Sequence, residues 1–394
     1  MSDRTGGSLL RQRTGAHARV TFVELFFDLV FVFAVTQISH SVVEHLTWQG
    51  ALQATMLLAA VWGSWIYTSW GTNWLDPQRV PVRVLLFAMM LLALVMAAAL
   101  PRAFTDRALG FAIPYAIMEV GRPLFMVRAA KGQARLQRNF RRILFWLFLA
   151  SLCWIAGALA SGGARVAWWL IALGCIYLSP WFGYPTPGLG RSTTEDWDVE
   201  GTHIAERCGL FVIIGLGESL LVTGATFAEL DWSPAVVSAM IVALVNAVAM
   251  WWLYFDVGEE AGTERMARHR DPGRLARSAY TFLHIPIVAG IILTAAGDEM
   301  ILVHPGGHVT STAAGVILAS SALYIAGVIL FKWAVTDRVP QSHLVALAGL
   351  AALVLAIPMM TPLRLATATA GVMLALAMWE GRSGRCEAVP AVGE

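Results

Sequence analysis

The chain reads as an all-α polytopic membrane protein of about twelve transmembrane helices. Hydrophobic residues make up 57% of it and charged residues 14%, with a mean hydropathy of +0.64, well outside the range of soluble globular domains. Apolar runs of bilayer length recur along the chain, and about 20 such residues span a membrane. Arginine and lysine are concentrated in alternate connections between the runs, as the positive-inside rule requires of a multi-pass protein.

The spans lie near residues 22–43, 51–70, 82–100, 108–128, 142–161 and 164–183, then 204–227, 234–256, 277–297, 310–332, 343–360 and 363–380. With a cytoplasmic N-terminus, only Arg102, Arg107, Arg165 and Arg364 fall in outer loops. Arg122 falls inside the fourth span, and the other Lys and Arg lie inside. Both termini are therefore expected in the cytoplasm: a basic segment over 1–21 and a tail over 381–394. The first apolar run is too long for a signal peptide and lacks a small-residue cleavage site, so it is expected to stay. A bacterial plasma membrane is the expected location.

Two basic clusters, Arg128, Lys131, Arg135, Arg138, Arg141, Arg142 and Arg265, Arg268, Arg270, Arg274, Arg277, set orientation and suit anionic lipid headgroups. Neither forms the long cationic run that nucleic acid needs, and no nucleic-acid partner is expected. The segment 184–203, rich in Pro, Gly, Thr and acids (Glu195, Asp196, Asp198, Glu200), reads as a linker between a six-helix half over 22–183 and a second over 204–380. Setting ELFFDLVFVFAVTQIS against ERCGLFVIIGLGESL pairs Glu24 with Glu206 and Gln37 with Glu218, and Tyr67 in WIYTSW meets Tyr254 in WLYFDV. Two copies with an even number of spans share an orientation, so the expected repeat is parallel. A homo-oligomer is among the expected assemblies.

Ionisable residues inside spans carry the functional candidates. Glu24 and Asp28 are four residues apart on the first helix, on one face with Val35 and Ser39. A mid-helix carboxylate costs roughly 2.5 to 3.5 kcal/mol on insertion scales, so that face should meet protein or water. Glu218, preceded by Gly215 and Gly217, stands about 16 Å along the helix from Arg207 and needs a partner elsewhere, for which Asn246 and His284 are candidates. Together Glu24, Asp28, Glu206, Glu218, His284 and Asn246 form a candidate polar or proton-coupling path. The same acids read equally as structural locks between helices. Glu119 and Arg122 can bridge on one helix face beside Pro123, which frees the Glu119 carbonyl and favours a bend.

His40, Glu44 and His45, and His304 with His308, never reach three ligands in a metal spacing. Cys153, Cys175, Cys208 and Cys386 show no paired spacing. No HExxH, GxSxG, GxGxxG or phosphate loop occurs. Metal, cofactor and catalytic residues are accordingly not expected, and neither is an enzyme. The lysines, Lys131 and Lys332, are not placed for a retinal Schiff base.

Four ordered blocks, ELFFDLVFVFAVTQISH, HIAERCGLFVIIGLGESLL, WWLYFD and LHIPIVAG, resemble the bacterial low temperature requirement A (LtrA) family. The resemblance runs from about Thr21 to the twelfth span and implies a polytopic membrane protein tied by name to growth in the cold. Its motif positions here are Glu24, Asp28, Glu206 and Glu218, with Arg207 adjacent. An acidic residue after paired aromatics on a first helix is also similar to endolysosomal potassium channels. The expected function is a transporter or channel-like protein for a small solute or ion, working through intramembrane carboxylates and coupled to protons. The alternative is a noncatalytic cold or stress factor of the membrane whose buried charges are structural.

Overall fold

The computed structural model describes residues 8–11, 20–193, 197, 199–255 and 276–387, and among these described residues twelve α-helices follow one another. They are α1 Phe22–Glu44, α2 Trp48–Trp74, α3 Val80–Ala99, α4 Ala108–Ala129, α5 Ala134–Leu159, α6 Gly162–Leu178, α7 Gly201–Glu229, α8 Pro234–Tyr254, α9 Ile285–Val303, α10 Ser311–Thr336, α11 Gln341–Leu353 and α12 Pro362–Glu387. Among the described residues there is no β-strand, only isolated bridges at Leu10–Leu75 and Thr186–Gly190. Among the described residues, nine helical segments are long and apolar enough to cross a membrane. α6 is apolar but shorter, at 17 residues. α2 and α4 fall outside the nine, and both bury polar groups, Thr68, Thr72 and Asn73 on α2 and Glu119 and Arg122 on α4. The acids Glu195, Asp196 and Asp198 and the cluster Arg265, Arg268, Arg270, Arg274 lie outside the described residues, as does the Arg277 side chain.

Local chemistry sets the helix ends. Thr47, Ser233 and Thr310 accept from the backbone N–H three residues on, starting α2, α8 and α10, as N-cap side chains do. α10 stops at Asp337, in the left-handed region with φ 57°. α9 starts at Ile285 with Pro286 in its first turn, where a missing N–H is harmless. The spanning segment runs over Ala279–Val303, close to the start of the expected ninth span of 277–297 and past its end. Residues 276–282 form a π-helical turn, α9 runs on to Val303, and Asp298 falls inside it.

The described residues form two compact units. The first holds residues up to Ser41 with Thr47–Arg207, the second Val42–Leu46 with the residues from Cys208 onward, so the division falls inside α7. In the first unit α4 packs on α3 and α5, α5 on α6, and α2 on α4 and α6. An aromatic cluster of Phe104, Phe111, Tyr115, Trp154 and Trp169 fills the space between α4, α5 and α6, and Trp169 Nε1 donates to the Trp154 carbonyl at 3.1 Å. In the second unit α9 packs along α10, α8 along α12, and α11 against α10 and α12. α9 and α10 approach backbone to backbone. A Cβ on Gly290 would lie 2.8 Å from Tyr324 N and Ser320 O, and one on Gly327 2.8 Å from Ile287 N. Such small-residue contacts are the usual adhesive of helices in lipid.

The exposed faces are apolar. On α3, Val80, Val84, Phe87, Leu91, Leu94 and Val95 all point outward, a pattern suited to lipid and unsuited to water.

Two arginines depart from their expected surroundings. Arg142, grouped above with the headgroup-facing cluster, is buried, donates to the Leu189 carbonyl (3.1 Å from Nε) and to Asn139 Oδ1 (2.7 Å), and so ties the 183–193 loop to α5. Its neighbours Arg128, Lys131, Arg135, Arg138 and Arg141 are exposed. Arg165, expected in an outer loop, is buried on α6 and donates to the carbonyls of Gly157 and Ala160 at the end of α5, which a helix terminus otherwise leaves unpaired.

Candidate functional site: two buried polar centres

The first centre is built on Glu24 and Asp28, both fully buried. Glu24 stands three residues after Thr21, and its Oε2 accepts from Thr21 N and Thr21 Oγ1, each at 2.9 Å. The bond from Thr21 N is the carboxylate half of a capping box, T-x-x-E at a helix start, and it gives the carboxylate a structural task before any charge partner is counted. Arg11 Nη2 reaches both Glu24 oxygens at 3.1 Å, while its Nε donates to the carbonyls of Thr72 and Leu75 at the end of α2.

Asp28 receives a two-pronged contact from Arg207 on α7, with Nε to Oδ2 at 3.1 Å and Nη2 to Oδ1 at 2.5 Å; Trp65 Nε1 adds a bond at 2.7 Å. Such paired donation is the strongest geometry open to an arginine and a carboxylate. Arg207 Nη1 also reaches Glu24 Oε1 at 3.3 Å and Thr72 Oγ1 at 3.1 Å. His203 Nε2 lies 3.0 Å from Glu24 Oε1, and its Nδ1 lies 3.4 Å from Asn73 Nδ2. The tautomer with a proton on Nε2 satisfies both contacts. Asn73 also bonds the backbone N–H and carbonyl of Glu200, fixing the chain where α7 begins. Two carboxylates face two guanidiniums, so the centre is electrically balanced, and every carboxylate oxygen is bonded.

The sequence expectations fall out unevenly. Glu206, on α7, accepts from Val20 N at 3.2 Å, and Glu218 is half-buried in the second unit. Glu119 and Arg122 bridge at 3.0 Å, with Arg122 Nη1 also donating to Ser64 O and Thr68 Oγ1. His284 Nδ1 lies 2.9 Å from the Ala279 carbonyl and Nε2 2.8 Å from the Tyr254 hydroxyl. Tyr67, its counterpart in the proposed duplication, instead meets Ile176 O and Tyr184. Among the described residues no group of three or more His, Cys, Asp or Glu is gathered as for a metal.

The second centre lies within the second unit, where Asn246 of α8 meets residues the sequence reading missed. Asp298 and Thr294 of α9, Ser320 and Ser321 of α10 and Thr369 of α12 line a cavity of ≈ 20 Å³ with it, enough for one water-sized occupant. Asp298 has a single long contact, 3.5 Å from Thr223 Oγ1, and no ion pair among the described residues. The signal for it was Pro286: placing proline in the first helical turn carries the span past Asp298. A further buried cluster joins the ends of α10, α11 and α12. There Lys332 Nζ lies 2.7 Å from Glu380 Oε2, Ser342 Oγ donates to Glu380 Oε1, and His343 Nδ1 is 3.2 Å from Ser342 Oγ.

Comparison with known proteins places the chain in a family. The model for "Bacterial low temperature requirement A protein (LtrA)" matches residues 19–378. The chain belongs to the LtrA family. The match takes in both polar centres except Arg11. An uncharacterized protein of Rhizobium meliloti (strain 1021) is 36% identical over 373 residues, covering 94% of this chain and 91% of that one. No solved structure matches. With apolar helices of spanning length, this LtrA protein is a multi-pass membrane protein.

Proposed function

We propose that this LtrA protein is a transporter or channel-like protein, moving a small ion or solute across a bacterial plasma membrane with coupling to protons. The observation that supports it is the second centre: a carboxylate, an amide and four hydroxyls gathered between helices of bilayer length, around a cavity. Polar groups there are costly and mark ion and solute pathways in membrane proteins. Twelve spans, cytoplasmic termini and two parallel six-helix halves belong to this reading, as do anionic headgroups near Arg128, Lys131, Arg135, Arg138 and Arg141. No enzymatic step is part of it. Glu24 and Asp28 take the role of a lock in the first unit, while Asn246 stays on the path, joined by Asp298. Glu218 and His284 are assigned to the same path as proton-bearing groups.

The test is flux into liposomes carrying an internal pH dye, across a panel of cations and small solutes. Wild-type protein should show a saturable, pH-gradient-dependent flux that Asp298→Asn and Glu218→Gln each abolish while the protein still inserts. A panel in which nothing moves sinks the proposal.

The saturation of the first centre favours a second reading, a noncatalytic membrane factor with purely structural charges. In that case Glu218→Leu lowers thermal stability in detergent and no solute moves.

A further inference from the structure

The cavity at Asp298 has a chemistry that narrows what it can hold. All six polar side chains lining it are more than nine-tenths buried. Asn246 Oδ1, Ser321 Oγ and Thr369 Oγ1 have no hydrogen-bond partner among the described residues. Thr294 Oγ1 donates its proton to the Gly290 carbonyl at 2.9 Å, and Ser320 Oγ donates to the Ile317 carbonyl at 2.8 Å. Each hydroxyl so engaged keeps its lone pairs and loses its donor, so it presents an acceptor. The Asn246 amide is oriented the same way, its Nδ2 toward the sulfur of Met250 at 3.8 Å and its oxygen left over.

A pocket of oxygen acceptors around one carboxylate is a site for a hard cation. Charge selects the valence. Among the described residues Asp298 faces no positive side chain, so a monovalent ion brings the pocket to neutrality, whereas a divalent ion would leave a buried net charge, which is strongly disfavoured. A proton on Asp298 also gives neutrality but offers one donor, leaving most of the acceptors unmet. The volume admits one occupant stripped of its water.

We propose that the cavity bounded by Asp298, Asn246, Thr294, Ser320, Ser321 and Thr369 binds one dehydrated monovalent cation of sodium size. The inference rests on the transport reading above only for its physiological use. Binding is a separate equilibrium property and is measured separately.

The experiment uses the full chain in detergent, with radioactive sodium binding and thermal unfolding both recorded in sodium chloride against choline chloride at equal ionic strength. Wild-type protein should bind about one sodium per chain and melt at a higher temperature in sodium than in choline, because a ligand of the folded state raises its stability. Asp298→Asn should lower sodium affinity by roughly tenfold or more, since affinity at such sites follows ligand charge. Its melting in choline should be at least that of wild type. Ser321→Ala, which removes one ligand and no charge, should weaken binding less and serves if the first variant does not fold. Absence of sodium-dependent binding and stabilisation in wild type overturns the proposal. So does undiminished affinity in either variant. Binding without flux in liposomes overturns the transport reading alone, and flux without sodium binding overturns this inference alone.

Discussion

Arg207→Met gives the sharpest reading of the first centre. Arg207 is fully buried and donates to Asp28 Oδ1 and Oδ2, to Glu24 Oε1 and to Thr72 Oγ1. Its guanidinium also sits over the Trp65 ring, 5.7 Å from the centroid. Removing it turns a balanced group of two acids and two arginines into one with an uncompensated negative charge. Glu24 keeps Arg11, His203 and the Thr21 cap. Asp28 keeps only the Trp65 indole among the contacts described above. Charge-assisted bonds contribute about 1.5–3 kcal/mol each, but they share one desolvation penalty and do not add. Loss of one partner from a buried pair costs about 3–5 kcal/mol, and that is the expected destabilisation. The double variant Asp28→Leu with Arg207→Met removes both sides of the pair and should regain most of it, because an apolar replacement of a buried pair is often neutral. The assay is thermal unfolding of the detergent-solubilised protein, followed by fluorescence-detected size exclusion. A single variant that melts within a degree of wild type would falsify the lock. So would a double variant no better than the single, since the contacts would then be additive rather than paired.

Other sites offer independent checks. Gly327→Ala should destabilise by about 1–3 kcal/mol, because its Cβ would lie 2.8 Å from Ile287 N and 2.7 Å from Ile287 Cγ1; unchanged melting would mean that α9 and α10 separate freely. Gly157→Ala puts a Cβ 2.3 Å from Trp169 Cδ1, so the tilted Trp154–Trp169 contact should loosen, with a red-shifted tryptophan emission as the readout and an identical spectrum as the contrary result. Lys332→Met leaves the half-buried Glu380 without its cation beside Ser342 and His343 and should cost up to about 3 kcal/mol. Pairing it with Glu380→Leu should restore melting, and a pair that is worse than Lys332→Met alone argues against the ion pair. Arg142→Met frees the 183–193 loop from α5, so limited proteolysis should cut within that loop faster than in wild type, and equal rates would show another anchor holding it.

Much of this protein is legible in its sequence because lipid leaves few options. Every backbone polar group must be satisfied within its own segment, so apolar runs of bilayer length become helices, and the run boundaries at Thr47, Ser233 and Thr310 carry their caps in plain view. The same periodicity places Glu24, Asp28, Val35 and Ser39 on one buried face of α1. The T-x-x-E spacing of Thr21 and Glu24 is legible as well, and it marks Glu24 as a helix-start residue. Tertiary structure alone decided what those acids meet. Arg207 and His203 lie 179 residues from Asp28 and Glu24 respectively, and no local pattern selects one buried arginine over another. The same holds for Asp298, whose cavity is lined from α8, α10 and α12 as well as its own helix. Hydropathy averages over a window and records how much apolar surface a helix carries, whereas an interhelical site depends on which few polar atoms turn toward one another after packing. A helix period determines the face, and only the neighbouring helices determine what completes it.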